Sequence, residues 1–235
     1  MRLEFRNIAV VRPGGVRALD DVSLTFDSAE TRAVAVLGAN GAGKSTLLEA
    51  ALGLLPLASG TIVVDGLELK KSNLTAIRRK VGMIFQNSDD QLFSQTVRED
   101  VAFGPVNLHL PPEEVAARVE SALERLGATG IADRDVTRLS GGEKRRVALA
   151  GVLAMNPEAI LLDEPTSMLD PRACRELAEI LNGMDAFKLI ATHDLAFAKR
   201  LCPDCVLLKQ GRIFASGRTE VILSQSDLLQ ACGLE

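Results

Sequence analysis

The chain has 235 residues, 47% of them hydrophobic, which suits a sizeable core in one domain or one domain with a sub-lobe. Its formal net charge is −4, with no basic tail, no Lys/Arg run longer than three residues, no Trp and no Tyr, so a nucleic-acid surface of basic tracts or stacking aromatics is not implied. No apolar run is long enough to span a bilayer, and Met1-Arg2-Leu3-Glu4-Phe5-Arg6 is charged and alternating rather than a signal peptide, so the chain is expected in the cytosol, even where it docks on a membrane partner.

Leu3 to Val11 alternates and predicts a strand. Val22 to Phe26 predicts its neighbour, with Arg12-Pro13-Gly14-Gly15 as the turn between them. Ala33-Val34-Ala35-Val36-Leu37 predicts a buried strand. It runs into Gly38-Ala39-Asn40-Gly41-Ala42-Gly43-Lys44-Ser45-Thr46, which fits the phosphate-binding pattern G-x-x-x-x-G-K-[ST] without mismatch. Thr46 to Leu52 predicts the helix that follows. Backbone N–H groups in such a loop and the helix dipole favour an anion, and small residues let the backbone wrap it. Lys44 is expected at the β- and γ-phosphates of a nucleoside triphosphate, and Ser45 at Mg²⁺.

Thr61 to Val64 and Val81 to Phe85 predict further strands. Pro111 and Pro112, followed by Glu113 and Glu114, mark a helix start. Val115, Val119, Ala122, Leu123 and Leu126 form its apolar face, and Gly127 closes it. Another helix is expected after Ser140, ending before Pro157. Ala159-Ile160-Leu161-Leu162-Asp163, Leu189 to Thr192 and Val206 to Leu208 are continuous apolar runs of the parallel-strand type. The expectation is an α/β core in which a helical insert, roughly residues 87 to 156, interrupts a single domain spanning 1–235.

The chemistry concentrates at a few places. Asp163 and Glu164 end a strand that should lie beside the phosphate loop. Asp163 is placed to hold Mg²⁺, and Glu164 to orient and deprotonate an attacking water. Gln86 and His193 each follow a strand and could touch the γ-phosphate, its metal or the water. Leu139-Ser140-Gly141-Gly142-Glu143 precedes a helix and forms a second anion site in the chain. One nucleotide does not need both sites from one molecule, whereas two chains head to tail would use both. Cys202-Pro203-Asp204-Cys205 lacks the further ligands of a zinc site and reads as two reduced thiols around a helix–strand turn.

In this order, these elements resemble the ATP-binding subunit of ABC transporters, and the resemblance covers essentially the whole chain. It takes in the phosphate loop, the glutamine loop at Gln86, the signature at Leu139 to Glu143 and Asp163-Glu164. It continues through the aspartate loop Ser167-Met168-Leu169-Asp170 and the switch histidine His193. The resemblance implies a P-loop ATPase fold, with a mixed, mostly parallel sheet, an antiparallel β subdomain and a helical subdomain. It further implies a dimer with two ATP molecules between subunits. Ser140, Gly141, Gly142 and Glu143 would meet the γ-phosphate held by the opposite chain, Asp170 would couple the two sites, His193 would sense the γ-phosphate, and Gln86 would join Ser45 and Asp163 at Mg²⁺. Phe85 to Phe93 and Val97 to Pro105 look like the energy-coupling-factor group, most like its cobalt and nickel import ATPases, with a biotin or other vitamin system as the alternative. The resemblance then implies a place at the cytoplasmic face of the membrane; one chain that carries every site residue fits a homodimer, with a heterodimer of related chains as the alternative. Its partners would be a transmembrane scaffold, docked at Asp89, Asp90 and Gln91, and a substrate-binding membrane subunit. Arg12 stands where the family usually stacks an aromatic on adenine. It either stacks its guanidinium there or is a solvated turn residue. A DNA-repair or translation ATPase would need a coiled-coil insert, tandem halves or basic surfaces, none of which is present.

Overall fold

The computed structural model describes residues 1–234. The chain opens with β1 (Arg2–Val11), β2 (Arg17–Asp27), β3 (Ala33–Leu37) and α1 (Lys44–Ala51). β4 (Ser59–Val64), β5 (Leu67–Glu68), α2 (Leu74–Lys80) and β6 (Val81–Ile84) follow. Next come α3 (Val97–Asn107), α4 (Pro112–Arg125) and α5 (Gly141–Ala154), before the chain re-enters the sheet at β7 (Ala159–Asp163). The remainder is α6 (Pro171–Asn182), β8 (Phe187–Thr192), α7 (Leu195–Leu201), β9 (Asp204–Lys209), β10 (Arg212–Arg218), α8 (Thr219–Leu223) and α9 (Ser226–Ala231).

The larger sheet has the order β10-β9-β3-β8-β7-β6. All of its strand pairs are parallel except the edge pair β9–β10. Parallel strands covered on both faces read as unbroken apolar runs, which is why β3, β7 and β8 are buried end to end. Alternate residues of β3 enter different layers. Ala33, Ala35 and Leu37 pack with Val97, Leu123, Leu177 and Phe197, while Val34 and Val36 pack with Leu3, Ile8, Leu47 and Ile62. The second of these layers lies under the antiparallel sheet β2-β1-β4-β5.

The helical expectation holds in α4, where Val119, Ala122, Leu123 and Leu126 are buried and Gly127 takes φ 61 just beyond the end. Ser140 and Glu143 close a reciprocal capping box on α5. α5 also lies hard against β6: a Cβ on Gly82 would meet Val152 Cγ1 at 2.3 Å, so only glycine lets them approach. No helix among the described residues is long and apolar enough to cross a membrane. The parallel registers bring the carboxyl ends of β3, β6, β7 and β8 to one edge. Gly38, Gln86, Glu164 and His193, far apart in sequence, follow those four strands.

Candidate functional site

The phosphate loop turns tightly against two other elements. Gly43 caps α1 at φ 108, and a Cβ there would meet the Ala18 carbonyl oxygen at 2.6 Å. A Cβ on Gly38 would lie 2.4 Å from the Leu208 carbonyl oxygen. Ala42 is tied in by its N–H donating to the Ala39 carbonyl (3.1 Å) and its carbonyl accepting from Gly211 N–H (2.9 Å).

Lys44 is 6% exposed; its ammonium donates to the carbonyls of Gly38 (2.7 Å) and Ala39 (3.3 Å) and lies 3.1 Å from Glu164 Oε1. Glu164 sits one residue past β7 at φ 43, a conformation that costs a non-glycine residue energy and recurs at functional sites. Its Oε2 accepts from Thr192 Oγ1 (3.1 Å) and His193 N–H (3.3 Å), and His193 Nδ1 stands 2.9 Å away. Burial pushes the Glu164 carboxyl up, but the contacts with His193 and Lys44 outweigh it and hold the group below the ordinary carboxylate range. Asp163 goes the other way: burial dominates and raises it, although the Ser45 hydroxyl faces it. Asp163 Oδ1 is buried with no hydrogen-bond partner among the described residues. A buried carboxylate with an unpartnered oxygen beside a hydroxyl is a donor set for a hard divalent cation, so these residues fit Mg²⁺.

A cavity of about 550 Å³ collects Arg12, Asn40, Gly41, Gly43, Lys44, Ser45, Thr46, Gln86 and Glu164 along its walls. Val16, Arg17, Ala18, Gln210 and Gly211 also line it. Sequence reasoning missed these five; a local hint was Val16, an apolar residue directly after the Gly14-Gly15 turn, and the structure leaves it 64% exposed. Arg12 lies at this cavity, with Nε donating to Thr46 Oγ1 (3.0 Å) and its guanidinium paired with Glu49. It is laid along α1 rather than free.

Ser140 to Glu143 lie outside the cavity. The Glu143 carboxylate accepts from Ser140 N–H and Oγ (2.8 Å each) and pairs with Arg134. Ser140 N–H and hydroxyl, followed by Arg134, hold it below its ordinary range. Asp170 caps α6, accepting from the N–H groups of Arg172 (2.9 Å) and Ala173 (2.8 Å). Met168, at φ 61, is fully exposed beside a separate cavity of about 730 Å³ that His193 also lines. Cys202, which caps the end of α7, and Cys205, within β9, are buried free thiols; burial pushes both up, Cys202 to about 12, which disfavours the thiolate form.

Of the three residues expected at a partner interface, Asp89 and Asp90 are exposed, and Asp89 pairs with Lys144. Gln91 departs from that expectation. Its amide is turned into the fold, accepting from Phe85 N–H (3.3 Å) and donating to the carbonyls of Met83 (3.3 Å) and Ala148 (3.4 Å). Three backbone groups within reach satisfy it better than solvent-side contacts would. The exposed feature here is instead apolar: Phe93 (64% exposed) and Phe103 (51%) meet edge to face at 4.6 Å, with Val106 exposed on the same helix as Phe103. Asp100 holds their turn by accepting from the N–H groups of Phe93 (2.9 Å) and Ser94 (2.8 Å).

A family model described as "ABC transporter" matches residues 19–167. The chain is 45% identical to the cobalt import ATP-binding protein CbiO of Rhodobacter capsulatus, over 94% of this chain and 80% of that protein. It is 42% identical to the energy-coupling factor transporter ATP-binding protein EcfA of Methanothermobacter thermautotrophicus, over 99% of this chain and 76% of that one. Among solved structures, cbiO1 from Clostridium perfringens, part of the ABC transporter complex cbiONQ, is similar at TM-score 0.83 and 33% identity, covering 99% of this chain and 94% of its own. The dimeric post-hydrolysis cassette MJ0796, bound to ADP and Pi, is similar at TM-score 0.83 and 27% identity, covering 92% and 98%. The phosphate loop, the acidic strand end and the fold agree with these matches: the chain belongs to the ABC transporter family, as an ATP-binding subunit that hydrolyses ATP.

Proposed function

We propose that this chain powers an importer of the energy-coupling-factor type, taking up a trace metal ion, cobalt or nickel, across a membrane. A biotin or other vitamin system is the alternative cargo class. The reading is supported by the names of the CbiO and EcfA relatives. The observation that carries the ATPase chemistry is Glu164, ionised and held between Lys44 and His193 at the edge of the phosphate cavity.

In this reading the loop from Gly38 to Thr46 wraps the phosphates, and Lys44 turns from its carbonyl partners to the β- and γ-phosphates. Ser45, Asp163 and Gln86 would hold Mg²⁺, which supplies charge neutralisation at those phosphates when bound. Glu164 orients the attacking water and takes its proton as the new bond to phosphorus forms and the bond to the ADP oxygen breaks. His193 steadies Glu164 and senses the γ-phosphate. Arg12 and Val16 border the base side of the cavity.

The signature residues Ser140, Gly141, Gly142 and Glu143 lie away from their own chain's cavity, so they serve a second copy placed head to tail. Asp170, at the start of α6, couples the two sites. Closure on ATP and reopening on hydrolysis pass to a membrane scaffold subunit through Asp89, Asp90 and the apolar pair Phe93 and Phe103. A substrate-binding membrane subunit selects the cargo, and the chain sits peripherally on the cytoplasmic face.

The test is Glu164→Gln. ATP binding should persist, turnover should fall at least about 100-fold, and a closed ATP-bound dimer should accumulate. Turnover at the parent rate would remove Glu164 as the base. Extraction of native membranes in mild detergent tests the importer: a scaffold and a small integral-membrane subunit should copurify, and nucleic acid in their place would move the chain out of transport.

A further inference from the structure

Gln86 projects into the phosphate cavity from a loop that has little packing of its own: Gln86 and Asn87 are both exposed. What fixes that loop is Arg145 on α5. Arg145 is 6% exposed; its direct hydrogen bonds go to backbone carbonyls, and burial lowers its pKa while the nearby Asp163 carboxylate acts the other way. Its Nη1 donates to the Phe85 carbonyl (2.8 Å) and its Nη2 to the Gln86 carbonyl (2.7 Å).

These two carbonyls flank the Gln86 Cα. One planar fork that grips both fixes the two peptide groups around that carbon, and with them the direction in which the Gln86 side chain leaves the backbone. Burying a guanidinium whose direct partners are neutral carbonyls is costly even with the nearby Asp163 carboxylate favouring its charge, and an apolar side chain could fill the same space more cheaply. The charge is therefore more than packing needs. Two further links run in parallel. Gln91 joins Met83 and Phe85 to Ala148 on α5, and Lys144 on α5 pairs with Asp89. α5 itself starts at the Ser140 cap.

We propose that Arg145 is a positioning residue for Gln86, its guanidinium setting the direction in which the glutamine side chain enters the phosphate cavity. The proposal rests on the ATPase reading above.

The test is a double-mutant cycle on the full chain, with kcat, KM and equilibrium ATP binding measured for parent, Arg145→Lys, Gln86→Ala and the double variant. Lysine keeps the charge and loses the fork. We expect Arg145→Lys to lower kcat about tenfold while ATP affinity holds, because the phosphate loop is untouched. In the Gln86→Ala background the same change should have no further effect. A merely structural Arg145 would slow both backgrounds by the same factor, and that result, or an unchanged kcat, overturns the proposal. Arg145→Gln, which retains an amide donor, supplies the cycle if the lysine variant does not fold. A parent chain that hydrolyses no ATP would instead overturn the ATPase reading.

Discussion

At the residue scale, two adjacent carboxylates are pulled in opposite directions. Glu164 is held below its ordinary range by His193 and Lys44 despite burial, and Asp163 is raised by burial. The linkage for Asp163 follows from the sign. A carboxyl whose folded pKa lies above its unfolded value binds more protons folded than unfolded. Stability therefore falls as pH rises from the unfolded value through the folded one, and stays lower above it. Glu164 acts oppositely, contributing stability that is lost as pH drops through its lowered value. Asp163→Asn should then melt at or above the parent temperature at neutral pH without metal, and the difference should vanish at acid pH. The same variant should lose the extra stabilisation that Mg²⁺ with ATP gives the parent. Thermal melts across pH, with and without the nucleotide, check both halves; an Asp163→Asn chain that melts lower than the parent without metal would show that the carboxylate is satisfied in the free protein.

At the scale of elements, α5 is the most constrained helix at the site. Its start is closed by Ser140 and Glu143, its side is pressed onto β6 at Gly82, and Arg145 reaches back to the loop after β6. Glu143→Ala removes half of the capping box and should cost about 1 kcal/mol in a urea unfolding midpoint measurement. Glu143→Gln keeps the acceptor and should recover most of it. Equal stability in Glu143→Ala and parent would mean that the exposed box contributes nothing. The opening of α3 follows the same logic, since Thr96 and Glu99 form a second reciprocal box. That T-x-x-E signal stood in the sequence before Val97, as did Asp170-Pro171 before α6, yet neither helix was read from it. α3 has little amphipathic contrast, so its cap is the better evidence, whereas α6 carries a clear apolar face at Leu177, Ala178 and Leu181 beside its cap.

At the scale of the whole molecule, the exposed pair Phe93 and Phe103 is the largest apolar feature beside the glutamine loop. Phe93→Asp combined with Phe103→Asp should leave ATPase activity of the isolated chain unchanged, because both rings are exposed and far in role from the phosphate cavity. It should abolish copurification with membrane subunits. Retained copurification would place docking elsewhere on the molecule. Sequence reading assigned Asp89, Asp90 and Gln91 to the docking segment; Asp89 and Asp90 are exposed, whereas the Gln91 amide is turned inward. Nothing in a one-dimensional string says that an amide will find three backbone partners inward, whereas an aromatic pair assembled from Phe93 and Phe103 exists only after α3 folds back.

The sequence alone determined the chemistry of the phosphate loop, the buried parallel strands and the order of the site residues, because each is written locally in glycine spacing or in an unbroken apolar run. Tertiary structure decided which of them meet. Gly38, Gln86, Glu164 and His193 converge because β3, β6, β7 and β8 run parallel and end at one edge, and strand order is a long-range property. The same holds for the left-handed backbone of Glu164, the unpartnered oxygen of Asp163 and the grip of Arg145 on the glutamine loop. Each depends on neighbours brought from distant segments, whose positions are set by packing and not by local propensity.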